Sequence, residues 1–410
     1  MGGGIMIPVA EALARILSAC APLPAETVFV TEALGRVLAE PVVARLTQPP
    51  FANAAMDGWA VRAADLAGAQ ADAPVTLTRI GESAAGHPFA GWLGPGQAVR
   101  IFTGAAIPDG ADAVVMQEDA TAQGDRVLIP VAPRPGRFIR PAGLDFTAGD
   151  VLIPAGHRMT ARDVALAAGA NAAWVRVHRR PRVAVLATGD EIRLPGEPLE
   201  PGQIVSSNAI ALCGLVTVEG GVAHNLGVAA DTPDALAALA AGGVGADLLV
   251  TAGGGAQGDH DHVRAVLGRD LVVDGVAMRP GKGVLFGTGG GQRFLGLPGN
   301  PVSAAVAAVV FLRPILRALQ GMAPGDDGTV PATLGAALPP CDERADFVRA
   351  TLTRGKDGGW MATPFSRQDS AMMSRLARAD GLIVRQPFVP AAAAGDRVAV
   401  LPLTGGAVGL

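Results

Sequence analysis

The chain of 410 residues has no tyrosine, and aromatic residues make up only 4% of it. Proteins that bind single-stranded nucleic acid stack bases on aromatic side chains, so this composition argues against such a surface. Neither sign of charge is in large excess: 33 lysine and arginine residues stand against 37 acidic ones, a formal net charge of −4. We therefore expect no general polyanion-binding face, although local basic sites remain possible.

Cysteine and long apolar runs are also scarce. The three cysteines lie far apart and form neither a CxxC pair nor an even framework, which predicts a reducing compartment. The longest predominantly apolar stretch, residues 302–312, is shorter than the roughly 20 residues that cross a bilayer. The first residues lack the basic region of a signal peptide, and Met6 stands where a myristoylated chain has serine or threonine. The sequence thus predicts a cytoplasmic protein that binds neither nucleic acid nor membrane.

Glycine (55) and proline (32) are abundant and together make up about a fifth of the chain. They show no collagen-like period, so many turns and backbone-lined loops are expected. Half of the residues are apolar, which is enough for buried cores, and the length corresponds to roughly two to four domains.

Two patterns of predicted secondary structure divide the chain. Short β-type runs between Gly/Pro turns fill residues 49–140, whereas strands alternate with helices from Arg182 to a long helix predicted over Pro301–Leu319. The alternation predicts a central, doubly wound parallel sheet in a multidomain α/β plus β protein. We predict a linker domain (1–48 with 141–180), an inserted mostly-β domain (49–140), an α/β domain (181–320) and a C-terminal β domain (321–410).

Ligands of such a sheet bind beyond the carboxyl ends of its strands, where four loops of this chain are expected. The first holds Asp190 and Glu191, adjacent carboxylates that need a cation or hydrogen-bond donors; helix capping by Asp190 is the alternative. The second is the glycine loop 252–259, whose backbone N–H groups suit phosphate. Its glycines include Gly253, Gly254 and Gly258.

The other two loops indicate oxyanion binding. Arg279 and Lys282 flank a Pro-Gly turn, and fixed cations without carboxylate neighbours suit an oxyanion; a solvated surface turn is the alternative. The last loop, Pro298 to Ser303, begins a helix with Pro301 in its first turn, and Ser303 could donate to an anion there.

Residues 259–262 (Asp-His-Asp-His) allow three interpretations. Alternate histidines could bind zinc, acidic residues could stabilise a helix start, or Asp261 could bind Mg²⁺ beside the phosphate loop. Asp57, Thr103 and Asp145 lie in segments that are equally explicable as turns. Since no serine or cysteine nucleophile set can be assembled, the sequence predicts phosphate and oxyanion handling with a metal and no covalent intermediate.

Seven segments in sequence order resemble the molybdopterin molybdenumtransferase family, of the MoeA and gephyrin E-domain type, almost from end to end. They are PPFANAAMDGWAV, IFTGAAIPDGADAVVMQED, AGLDFTAGDVL, PRVAVLATGDEI, the glycine loop with GDHD, VAMRPGKGV and LPGNPVSAAV. The resemblance implies a homodimer whose α/β domain binds molybdopterin. It implies an enzyme that takes molybdate and adenylylated molybdopterin, cleaves the adenylyl link with Mg²⁺ and leaves molybdenum on the dithiolene. A molybdopterin adenylyltransferase and acceptor molybdoenzymes would be its partners.

The resemblance also implies roles for individual residues. Asp231 and Asp261 would hold Mg²⁺, with Glu191 acting beside them. The molybdate pocket would consist of Arg279, Ser303, Arg349 and Ser370. Asp57, Thr103 and Asp145 would reach over from the partner chain or a domain junction. For Arg349 the pattern adds that it shares a strand face with Phe347, where an arginine needs solvent or an anion.

The chain departs from the family pattern at several positions. Ala52 and Ala54 replace Asp and Ser, Trp59 replaces Tyr, and Ser206 stands where an Asp is common. The glycine loop has no serine hydroxyls, and each lost hydrogen bond is worth about 1 kcal/mol of binding. A carrier or regulator that binds molybdopterin or molybdate without turnover is therefore the alternative, and a gephyrin-like scaffold a third possibility.

Overall fold

The computed structural model of the chain describes residues 6–253, 262–288, 291–322, 328–355 and 358–403. These residues divide into two compact units. Unit 1 takes its residues from 1–40, 155–162 and 174–410, and unit 2 comprises 41–154 and 163–173. The division into four domains stays a prediction.

The helices and strands of the described residues are numbered in chain order. The helices are α1 (Val9–Ser18), α2 (Ala161–Gly169), α3 (Asn208–Val218), α4 (Pro233–Ala241), α5 (His262–Leu267), α6 (Pro301–Ala307), α7 (Arg313–Leu319) and α8 (Met373–Leu376). The strands are β1 (Ala25–Phe29), β2 (Val42–Val43), β3 (Asn53–Ala54), β4 (Gly58–Val61), β5 (Val75–Ser83), β6 (Gln97–Ile101), β7 (Ala113–Met116), β8 (Thr121–Gln123), β9 (Arg126–Ile129), β10 (Ile139–Arg140), β11 (Val151–Ile153), β12 (Trp174–His178), β13 (Arg182–Thr188), β14 (Ile192–Arg193), β15 (Ile204–Val205), β16 (Val222–Ala229), β17 (Leu248–Ala252), β18 (Leu271–Asp274), β19 (Met278–Arg279), β20 (Leu285–Gly287), β21 (Phe294–Leu297), β22 (Val330–Leu334), β23 (Ala345–Arg354), β24 (Trp360–Pro364), β25 (Gly381–Arg385) and β26 (Arg397–Pro402).

The central sheet of unit 1 has the order β16-β13-β17-β21-β20-β18. The first four strands are parallel, as predicted, and their apolar side chains are buried because helices cover both faces. The prediction of a parallel sheet is wrong for the remaining edge, where β20 runs antiparallel to both β21 and β18. Only residues 288–293 separate β20 from β21, too few for the crossover that parallel strands need.

A long helix packs on this sheet. It runs from Pro301 to Leu319 and consists of α6, a π-helical turn over Ala308–Leu312 and α7. By length and composition alone it could cross a membrane, but 67% of its apolar window is buried inside the fold. Its buried residues belong to the main apolar cluster, as expected of a core helix.

The last strands of unit 1 close into a ring. Strand β23 pairs with β24 at its far end and with β25 at its near end, and β24, β22, β26 and β25 complete the circuit. The start of β23 also pairs in parallel with β19, which sets Arg279 opposite Asp346. This register joins two segments that lie far apart in the sequence.

Unit 2 contains a mostly-β sheet of order β7-β4-β6-β5-β9-β8. The turn interpretation of the segment around Asp57 does not extend past that residue, because Gly58–Val61 is an inner strand paired with β6 and β7. A Cβ at Gly58 would lie 1.9 Å from the Val115 carbonyl oxygen, so only glycine allows the two strands to approach so closely.

Candidate active site

Two carboxylates meet at the carboxyl edge of the central sheet. Parallel pairing of β13 with β16 sets Thr188 opposite Ala229, and the loops that follow therefore run side by side. The Thr188 hydroxyl donates to Asp231 Oδ1 at 2.7 Å, and the Asp231 N–H donates to Asp190 Oδ1 at 3.0 Å. The structure thus brings the predicted metal ligand Asp231 next to Asp190.

The side-chain atoms that Thr188, Asp190 and Asp231 offer to a metal ion are all oxygens. Neither Asp190 nor Asp231 forms an ion pair with a described lysine or arginine, and both retain exposed surface. Hydroxyl and carboxylate oxygens are the ligands that Mg²⁺ prefers, and one or two carboxylates suffice when substrate phosphates complete its shell. The described residues offer no group of three or more His, Cys, Asp or Glu that could hold a metal by itself.

The capping interpretation of Asp190 is wrong, because a short strand, Ile192–Arg193, follows it rather than a helix. Glu191 is exposed, and its carboxylate folds back over Gly189: a Cβ on that glycine would lie 2.5 Å from Glu191 Oε2. Helix α4 is capped by Thr232, whose hydroxyl accepts from the Ala235 N–H at 3.2 Å. The carboxylate of Asp231 is therefore not needed for capping.

The glycine loop is described only at its start. Gly253 has a φ of +99°, and a Cβ there would lie 2.6 Å from the Thr188 carbonyl oxygen. Its N–H donates to the Leu297 carbonyl at 3.1 Å, so Gly253 lies between the ends of β13 and β21. Gly254, Gly258 and Asp261 lie outside the described residues, and their predicted roles stay predictions.

The predicted oxyanion loop begins α6. Pro298 is partly buried, Pro301 is the first helical residue, and Ser303 is 5% exposed in the first turn. The Val302 N–H donates to the Ser370 carbonyl at 3.0 Å. The structure therefore brings the segments of Ser303 and Ser370 together, as the predicted pocket requires.

Arg279 corrects one premise of the sequence reasoning. It is not free of carboxylate neighbours: its Nε and Nη2 donate to the two oxygens of Asp346 at 2.7 and 2.6 Å, and Asp342 lies 3.4 Å away. The hydrogen bonds to Asp346 raise the pKa of this guanidinium further. Lys282 is exposed, and Gly281 between them packs against the Ser303 backbone.

The surroundings of Arg349 contradict a second premise of the sequence reasoning. Arg349 does not depend on solvent or an anion alone, because backbone and amide oxygens accept hydrogen bonds from three of its five N–H groups in a site only 1% exposed. Nε donates to Gln368 Oε1 at 3.2 Å, Nη1 to the Met372 carbonyl at 3.3 Å and Nη2 to the Asp369 carbonyl at 3.0 Å. Burial lowers the pKa of Arg349. The guanidinium thus holds the segment that carries Ser370.

Of the residues predicted in unit 2, Asp57 and Thr103 contact each other. Asp57 Oδ1 accepts hydrogen bonds from the N–H and the hydroxyl of Thr103, both at 2.7 Å. The bond from the backbone N–H is the largest cause of a lowered Asp57 pKa, so the carboxyl group stays ionised near neutral pH. Asp145 is exposed, and its N–H donates to the Gln48 carbonyl at 3.0 Å.

Sequence reasoning did not identify three residues that position the side chains of the candidate site. Thr188 orients Asp231, Asp346 engages Arg279, and Gln368 accepts from Arg349. Two of them could have been found from the sequence: Thr188 ends a buried strand, and Asp346 lies three positions before Arg349. Gln368 gave no signal, because its contact depends on the fold of the loop.

Family models match most of the chain. Residues 7–170 match the MoeA N-terminal region (domain I and II), 184–318 a probable molybdopterin binding domain, and 331–403 the MoeA C-terminal region (domain IV).

Curated relatives named molybdopterin molybdenumtransferase match as well. One from Nostoc sp. is 41% identical over 73% of this chain and 70% of its own length. Molybdopterin molybdenumtransferase 2 from Mycobacterium tuberculosis is 37% identical over 96% of this chain and 98% of its own. A solved molybdopterin biosynthesis MoeA protein from Pyrococcus horikoshii OT3 has a TM-score of 0.84 at 28% identity and covers 96% of this chain and 99% of its own.

Proposed function

Because the chain belongs to the molybdopterin molybdenumtransferase family, we propose that it inserts molybdenum from molybdate into adenylylated molybdopterin and releases AMP in a Mg²⁺-dependent step. The observation that carries this proposal is the oxygen cluster of Thr188, Asp190 and Asp231 at the carboxyl edge of the sheet. It lies on the edge at which doubly wound sheets bind their ligands.

The first proposed task of this edge is to hold the phosphates for cleavage. Asp231 and Asp190 would bind Mg²⁺, and Asp261 is the further ligand that the sequence predicts. Mg²⁺ held there would supply positive charge next to the phosphate oxygens during cleavage of the adenylyl link. The Thr188 hydroxyl keeps Asp231 oriented by donating to the oxygen that would otherwise be free to rotate. Glu191 and the glycine loop complete the proposed phosphate site.

The second proposed task is to hold molybdate. Three of the five N–H groups of Arg349 donate to Gln368, Asp369 and Met372. Its remaining N–H groups are then available to a tetrahedral oxyanion, beside the hydroxyls of Ser303 and Ser370. Arg279 and Lys282 add positive charge, reduced at Arg279 by its two carboxylate neighbours. Pro298 and Pro301 would keep the helix start rigid against the substrate.

We further propose a cytoplasmic homodimer in which Asp57, Thr103 and Asp145 of one subunit act at the carboxyl edge of the other. The support is the ionised Asp57 carboxylate, which Thr103 fixes in one orientation although it remains partly exposed. A carboxylate held in this way is suited to orient a substrate. A molybdopterin adenylyltransferase would supply the substrate, and molybdoenzymes would accept the product.

A single-turnover assay tests the proposal. Purified protein is mixed with adenylylated molybdopterin, molybdate and Mg²⁺, and AMP is quantified by chromatography. We expect AMP release that requires both molybdate and Mg²⁺ and that the Asp231→Asn variant loses. A nucleotide that stays bound and uncleaved under all of these conditions would reject the enzyme and favour a carrier.

A further inference from the structure

A group of arginines lies at the opposite, amino edge of the central sheet. Its centre is Glu219, the residue that follows α3, which is only 2% exposed. Arg313 Nε lies 3.1 Å and Arg317 Nε 3.3 Å from its carboxylate oxygens, and Arg158 Nη2 lies 3.8 Å away. Arg180 joins them by donating to the Gly220 carbonyl at 3.2 Å. We call these four arginines and Glu219 the arginine cluster.

The arginine cluster carries more positive charge than its carboxylate can balance. Glu219 is the only carboxylate in the described part of the chain that forms an ion pair with any of the four guanidinium groups. Arg36 and Glu26, which also act on Arg180, pair with each other, so the local excess is three positive charges. Burial is the leading cause of the lowered pKa of Arg158, Arg180 and Arg313. Neighbouring guanidinium groups lower the pKa of Arg158 further. Such an excess is costly in a partly buried site unless an anion offsets it.

Two hydrogen-bond donors of the cluster have no acceptor among the described residues. They are Arg158 Nε and Arg313 Nε, both fully buried. Arg313 Nε is close to Glu219 but not aligned with it for a hydrogen bond. The side chain of Arg317, in contrast, is 38% exposed, and Arg180 is partly exposed, so a small solute can reach the group from solvent.

We propose that the arginine cluster is a second anion-binding site, separate from the carboxyl-edge site, and that it takes a phosphate-class oxyanion. Guanidinium groups offer planar donor pairs that match the oxygens of phosphate, and a phosphate dianion would offset most of the excess charge. The ligand is either free inorganic phosphate or the phosphoryl group of a larger molecule. Because Glu219 follows α3 while Arg158 and Arg313 come from other segments, binding would also tie these segments together.

The experiment measures thermal unfolding and isothermal titration of the full chain with sodium phosphate, at constant ionic strength adjusted with sodium chloride. We expect a saturable rise in Tm and a defined binding constant. Arg317→Gln and Arg180→Gln, both at partly exposed positions, should weaken phosphate binding about ten- to a hundredfold, the usual effect of losing a charged hydrogen bond. Parallel titrations with phenyl phosphate assign the ligand: binding of both compounds indicates a phosphoryl group, and binding of inorganic phosphate alone indicates the free ion.

Two controls locate the response. Arg176→Gln removes a 46% exposed arginine that pairs with Glu40, and Arg79→Gln removes a 38% exposed arginine that pairs with Glu82. Both arginines lie outside the cluster, so both variants should bind phosphate as the wild type does. The proposal is overturned if Arg317→Gln and Arg180→Gln bind phosphate normally, if either control variant loses the response, or if acetate stabilises the protein equally. The assay needs no molybdopterin, so its outcome is independent of the proposed enzymatic activity.

Discussion

Replacing Arg349 by alanine tests whether this residue holds the loop that carries Ser370. The substitution removes three hydrogen bonds from a charged donor, to Gln368, Asp369 and Met372. Each acceptor keeps a second donor, namely the N–H of Arg349, Met372 and Arg375 respectively, so no buried oxygen is left unsatisfied. Loss of the side chain from a site 1% exposed leaves a cavity, whereas release of a buried charge is favourable. We expect a net loss of about 3 kcal/mol in the free energy of unfolding.

Urea unfolding followed by circular dichroism gives this free energy, and the AMP-release assay gives the molybdate requirement. We expect Arg349→Ala to raise that requirement about ten- to a hundredfold and to leave nucleotide affinity nearly unchanged. Arg354→Ala is the matched control, since Arg354 ends the same strand but is exposed; it should cost about 1 kcal/mol or less. An unchanged urea midpoint in Arg349→Ala would refute the holding role. Weaker nucleotide binding with a normal molybdate requirement would move Arg349 to the phosphate site.

Four further predictions follow from the structure. Asp231→Asn should abolish AMP release while shifting Tm by no more than a few degrees, because the side chain lies at a loop; unchanged Mg²⁺ dependence would remove Asp231 from the metal site. Thr103→Val should raise the Asp57 pKa part of the way toward its ordinary value of 3.8, measured by NMR titration, because the hydroxyl hydrogen bond is lost while the backbone N–H bond remains; an unshifted titration curve would contradict this. Burial raises the pKa of the Cys20 thiol from 9.0 to about 11, so the stability that the protonated thiol contributes is complete below pH 9 and lost as the pH rises to 11. Cys20→Ala should therefore reduce the fall in Tm between pH 9 and pH 11. An identical fall in the variant and the wild type would exclude Cys20 as a cause. Light scattering at micromolar concentration should give the mass of a homodimer, and a fully active monomer would reject the shared site.

The arrangement of the central sheet follows from patterns local to the sequence. The runs Arg182–Thr188 and Leu248–Ala252 are apolar because parallel strands are covered on both faces, and such a continuous apolar run is visible in the sequence alone. The antiparallel edge was not predicted, because short strands such as Leu285–Gly287 carry too few residues to show a direction. Asp57-Gly58 is a frequent turn pair, yet the strand Gly58–Val61 begins directly after Asp57, because pairing with strands on both sides outweighs the turn preference at Gly58.

The candidate site could be predicted only where its chemistry is contained in one segment. The loops around Asp190, Asp231 and Ser303 follow strands, and their positions at one edge result from the topology. The Arg279–Asp346 ion pair could not be foreseen, since 67 positions separate the two residues and only the pairing of β19 with β23 joins them. Likewise, the burial of Arg349 depends on residues 368–372 folding back over the strand.

The two arginines assigned to molybdate by the family resemblance are therefore not equivalent. Arg279 is 44% exposed and shares its charge with Asp346 and Asp342, so an approaching oxyanion meets a guanidinium whose charge is largely offset. Arg349 has no carboxylate ion-pair partner among the described residues, and its hydrogen-bond acceptors are neutral oxygens in a buried site. The charges that act on it from nearby, those of Asp369 and Arg375, have opposite signs. Electrostatic attraction is stronger where the local dielectric is low and the charge is unshared. The attraction for molybdate should thus come chiefly from Arg349, whereas the bidentate pair with Asp346 suits Arg279 to fix its loop against β23.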